Sequence, residues 1–78
     1  MALQGLIYVN RTAIGFWSAQ RITGEPGQLC TYKCEVGYHD PQRPVTGFRL
    51  EHHYDDGAIA LAAAVLTRGA GILAGNQP

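Results

Sequence analysis

The sequence is short of charge. Only 15% of its residues are Asp, Glu, Lys or Arg, against about 25% in an average globular chain. Six basic residues offset six acidic ones, and the formal net charge is zero. That balance excludes the net positive field of a dedicated nucleic-acid binder and the strong negative field of a duplex mimic. Local patches are still allowed, because net charge says nothing about arrangement. Long hydrophobic runs are missing as well. The longest, Ala58–Leu66, is half a membrane span and is followed by Thr67 and Arg68. The start, Met1-Ala2-Leu3-Gln4-Gly5, lacks a basic n-region, and Leu6–Val9 is too short for the apolar core of a signal peptide. The expectation is a cytoplasmic protein with no membrane partner.

Catalytic signatures are absent too. There is no Ser/Cys–His–Asp constellation, glycine-rich phosphate loop or paired-carboxylate motif. The chain therefore reads as a non-enzyme with no cofactor. No internal repeat, linker or low-complexity segment divides it. Its 78 residues suffice for one domain spanning 1–78, with residues 75–78 expected to fray. Apolar residues make up 46% of the chain. With so little charge, they leave less polar cover than a monomer normally has, which points to a homodimer or a partner surface.

What is present is clear punctuation. Thr23-Gly24-Glu25-Pro26-Gly27 holds a Pro-Gly pair suited to the centre of a type II turn. Asp40-Pro41-Gln42-Arg43-Pro44 has two prolines that cannot donate to a ladder. Asp55-Asp56-Gly57 is a third break, and Asn10-Arg11-Thr12 a weaker hairpin signal. Between the breaks lie Leu6–Val9, Ala13–Ile22, Leu29–Tyr38 and Val45–Tyr54. Cys30, Tyr32, Cys34, Val36 and Tyr38 alternate with Thr31, Lys33, Glu35 and Gly37, and Phe48, Leu50, His52 and Tyr54 with Arg49, Glu51 and His53. Alternation of this kind marks strands with one buried face, and these two form a hairpin.

A helix over Ala58–Thr67 follows, rich in alanine and leucine and free of breakers. Asp56 is placed to cap its start, Gly69 its end, with Arg68 complementing the dipole. Ile59, Ala62, Ala63 and Leu66 make one stripe with Leu61 and Val65 beside it, and Ile72 and Leu73 are free to fold back over the helix. The fold class is α+β: a small curled antiparallel sheet of three to four strands with one C-terminal helix packed on one face.

Several residues could carry chemistry. Cys30 and Cys34 lie four residues apart on one strand, roughly 13 Å, beyond the ~7 Å limit of a disulfide. They read as buried thiols acting as small hydrophobes. The alternatives are an intermolecular disulfide and zinc held among Cys30, Cys34, His39, His52 and His53, although Cys-x3-Cys on a strand is not a zinc-knuckle spacing. His52-His53-Tyr54-Asp55-Asp56 could bind a divalent metal or run acid–base chemistry. Adjacent strand residues point to opposite faces, however, so His52 belongs to the core rim and His53 to solvent. Finally, if Ile14, Phe16 and Ile22 face the core, Trp17 emerges beside Arg21, with Lys33 and Arg49 on neighbouring strands. Such a surface could anchor a protein or stack single-stranded nucleic acid. Glu35 and Glu51 interleave with it and favour the protein. With the parity reversed, Trp17 is core.

The hairpin Leu29–Tyr54, the turn Asp55-Asp56-Gly57 and the alanine-rich helix Ala58–Leu66 together resemble the layout of small phage-encoded inhibitors, some anti-CRISPR proteins among them. The resemblance is architectural and covers about half the chain. It implies a non-catalytic protein that works by covering a partner's surface. The negative charge of the nucleic-acid-mimicking members is not found here.

Overall fold

Three tight connections shape the chain. The computed structural model describes residues 2–75. Strand β1 (Ala2–Val9) turns through Asn10 and Arg11 into β2 (Thr12–Thr23). Both turn residues are left-handed, with φ of 49° and 68°, the backbone that matches the twist of a two-residue hairpin. The second turn is the expected one: Gln28 N–H donates to Glu25 O at 3.1 Å, with Pro26 and a left-handed Gly27 (φ 80°) between them. It leads into β3 (Leu29–Tyr38). In the third, Gln42 N–H donates to Asp40 Oδ1 and Arg43 N–H to Asp40 O, each at 3.0 Å. Strand β4 (Thr46–Tyr54) and helix α1 (Ala58–Leu73) complete the chain. The sheet is an antiparallel meander in the order β1-β2-β3-β4, with α1 packed on one face.

Alternation on β3 places Cys30, Tyr32, Cys34 and Val36 under the helix, each at most 2% exposed. On β2 the structure takes the reversed parity. Trp17 pairs with Val36 and Ala19 with Cys34, and both point into the core. Phe16 and Ser18 face the other way, opposite Gly37 and Glu35. Of the two parities the sequence allows, the one with Ile14, Phe16 and Ile22 on the inner face is therefore not the one taken. The reason is two irregularities: Ile14 and Ile22 are the extra residues where the β2 register shifts against β1 and β3, and a bulge resets which face follows. A third bulge opposes Glu51 and His52 to Thr31 alone, with His52 left-handed at φ 55°. It sends His53 inward, opposite Cys30, and leaves His52 and Tyr54 exposed, the reverse of the simple alternation.

The helix also departs from its sequence reading. It runs to Leu73, through Gly69. Gly69 ends nothing: a Cβ there would lie 2.5 Å from Val36 Cγ1, so its bareness lets the helix settle on β3. Leu61, Val65 and Gly69 form the buried stripe, spaced by one turn each. Ile59 is left 89% exposed. Ile72 and Leu73 continue the helix and pack against the core rim, and their burial outweighs the propensity cost of glycine, about 1 kcal/mol. Gly57 occupies the N-cap with no side-chain hydrogen bond, so Asp56 does not cap. Arg68, now mid-helix, lies over the Phe48 ring at 5.4 Å. Gly75 takes the left-handed position after the last turn, at φ 97°. The rest of the expected frayed tail lies outside the described residues.

Candidate functional site

The structure separates the four residues expected to form an aromatic and basic surface. Trp17, 7% exposed, sits on the helix side, its indole over Gly5: a Cβ on Gly5 would be 2.7 Å from Nε1. Arg21 shares that side and is paired with Asp55 at 3.0 Å. Lys33 and Arg49 are cross-strand partners on the opposite face. Bases cannot stack on Trp17 here, because the core already occupies it.

The cysteine and histidine set is likewise dispersed. Cys30 and Cys34 are free and buried. The Cys30 thiol donates to Glu25 O and Gln28 O at 3.4 Å, and burial pushes the Cys34 thiol pKa up. His39 stacks on Phe16, with ring centroids 6.1 Å apart. His52 lies exposed in its bulge, while His53 meets Tyr32 edge-on at 5.9 Å. Among the described residues, no three His, Cys, Asp or Glu side chains converge in a way that could hold a metal ion.

A polar cluster that sequence reasoning missed lies where β2, β3 and the end of β4 meet: Arg21, Tyr32, His53 and Asp55. The Tyr32 hydroxyl is fully buried and lacks a hydrogen-bond partner, as does His53 Nε2. Asp55 stands near enough to raise the phenol's pKa by its charge and by hydrogen bonding, although no bond to the hydroxyl meets full geometry. Burial first, then the negative charge of Asp55, raises the Tyr32 pKa to about 12. A phenol so held stays protonated at neutral pH. Arg21 and Asp55 are 34 residues apart, so only the strand register brings them together.

The surface is divided by chemistry. Residues 2–10, residues 12–20 and all of α1 except Arg68 carry no charge. On β1, Leu6, Tyr8 and Val9 are 46%, 60% and 50% exposed, and Ile22, Leu29, Val45 and Tyr54 are exposed elsewhere. A shallow open depression of about 490 Å³ lies over β1 and β2, lined by Gln4, Gly5, Leu6, Phe16, Trp17 and Ser18. A smaller groove of about 240 Å³ runs between the helix end and Ile7, Val9, Ile14 and Tyr38. The Tyr38 hydroxyl donates to Leu73 O at 2.6 Å and ties down that end of the helix. Charge gathers instead on β3 and β4, as Lys33, Glu35, Arg49 and Glu51.

Fold and surface define an α+β meander-and-helix domain whose sheet is uncharged on the outer face of β1 and β2. No family model, curated protein or solved structure matches the chain. Among the described residues, no helix is long and apolar enough to cross a membrane.

Proposed function

We propose that this protein is a non-enzymatic interaction module that acts in the cytoplasm by covering a protein surface. One observation carries the reading: on the sheet face away from the helix, the β1–β2 half is uncharged, while Lys33, Glu35, Arg49 and Glu51 occupy the β3–β4 half. Leu6 and Tyr8 on β1 are exposed on that uncharged half. Contiguous uncharged surface is costly to hydrate and marks contact sites. The two buried free thiols suit a reducing compartment. The likeness in layout to small phage-encoded inhibitors suits a stoichiometric blocker of a host complex.

The nucleic-acid reading has lost its aromatic, since Trp17 belongs to the core. The metal-enzyme reading, which takes His52 or His53 with Asp55 or Asp56, finds no three converging His, Cys, Asp or Glu side chains among the described residues. The test of the favoured reading is capture from the source cells with tagged wild-type protein and the variant Tyr8→Lys. A partner retained stoichiometrically by the wild type and lost by the variant supports the reading. A partner held equally by both, or none at all, refutes it.

A further inference from the structure

We propose that two copies of this chain join through β1, strand to antiparallel strand across a two-fold axis, into one continuous sheet. The inference deepens the reading just given by naming a second copy as one partner of the uncharged half.

The sheet order leaves two edges, β1 and β4. Unpaired edges template further pairing unless charge, proline or a bulge blocks them. The β4 edge is blocked by Arg49, Glu51 and the bulge at left-handed His52. The β1 edge has no charge and no proline, and its pairing with β2 is regular from Ala2 to Ile7. Addition of β1 to β4 would propagate without end and meets the blocked edge. Addition of β1 to β1 closes at two copies.

Side chains opposite each other in an antiparallel pair share a face, so only residues of like parity can oppose across the seam. Centring the pair on Gly5 sets Leu3 against Ile7 on the helix side, and Gln4 against Leu6 and Ala2 against Tyr8 on the outer side. Leu3 and Ile7 are half-buried at the core rim, and the seam completes their cover. No like charges meet. The depressions over Gln4, Leu6, Phe16 and Ser18 from the two copies come together along the seam. A seam of one strand pair is small beside standard interfaces of roughly 1,200–2,000 Å², so association depends on protein concentration.

The test is light scattering and sedimentation of the purified full chain across a range of concentrations, with two double variants. Gln4 is exposed and Leu6 is 46% exposed, so both variants keep the core, which circular dichroism verifies. The wild type is expected to reach twice the 8.4 kDa chain mass. Gln4→Lys/Leu6→Lys sets lysine against lysine and is expected to remain monomeric at every concentration. Gln4→Glu/Leu6→Lys sets opposite charges together in this register alone and is expected to dimerise. A wild type that stays monomeric, or a dimer indifferent to the paired lysines, overturns the proposal. A dimer lost in both variants overturns the Gly5-centred pairing. Self-association is measured without any other protein, so its failure leaves the capture experiment to decide the broader reading.

Discussion

The two edges of the sheet are built differently. On the β1 side, order comes from apolar contact: the indole of Trp17 fills the space that Gly5 leaves, and Leu3 and Ile7 lean on the core. On the β4 side, the strand is bulged and charged, and its end is fixed by the ion pair of Arg21 with Asp55. The first edge is smooth and uncovered, the second guarded. The contrast teaches that a low-charge chain can still place charge and a bulge on one sheet edge while the other is built from uncharged residues alone.

The strongest way to break the β1 side is Trp17→Ala. Removing a 7% exposed indole should cost about 3–5 kcal/mol, read by urea denaturation, enough to leave the variant largely unfolded. The β4 end should respond to alkali. The Tyr32 pKa is raised in the fold to about 12 from 10.0. The contribution of the neutral phenol is fully present below pH ~10 and is lost as pH rises towards 12, a decline of about 3 kcal/mol. Tyr32→Phe should flatten that decline. It also removes a buried hydroxyl without a partner, so stability at pH 7 should hold or rise by up to ~1 kcal/mol; a fall of that size would show that the hydroxyl has a partner.

Smaller effects sharpen the contrast. Asp55→Ala leaves Arg21, whose side chain is 21% exposed, without its partner, and should cost about 1–2 kcal/mol in thermal unfolding. Adding 1 M salt should recover little of it, because the pair is only partly open to solvent. At the β1–β2 turn, Arg11 holds φ 68°, a conformation that costs a side-chain-bearing residue about 1 kcal/mol. Arg11→Gly should raise stability by about 0.5 kcal/mol after the added chain entropy, a small increase in melting temperature.

The hairpin of β3 and β4 was legible because alternation survives where one face is buried: Cys30, Tyr32, Cys34 and Val36 lie where period two puts them. The Pro26-Gly27 turn was legible because only one backbone geometry suits that pair. The bulges were not. Nothing in Ile14, Ile22 or His52 announces an extra residue, since each is defined by the strand beside it. Helix length failed for a related reason: Gly69 looks like a terminator until Val36 is found beneath it. The aromatic and basic surface failed with the β2 parity.

Composition and local pattern alone thus determined an α+β chain with an antiparallel sheet, a C-terminal helix, buried thiols and a surplus of uncharged surface, because each of these follows from neighbours along the chain. Tertiary structure decided which face Trp17 joined, where Arg21 met Asp55 and which edge was left open. Those depend on register between strands, and a shift of one residue exchanges inside for outside.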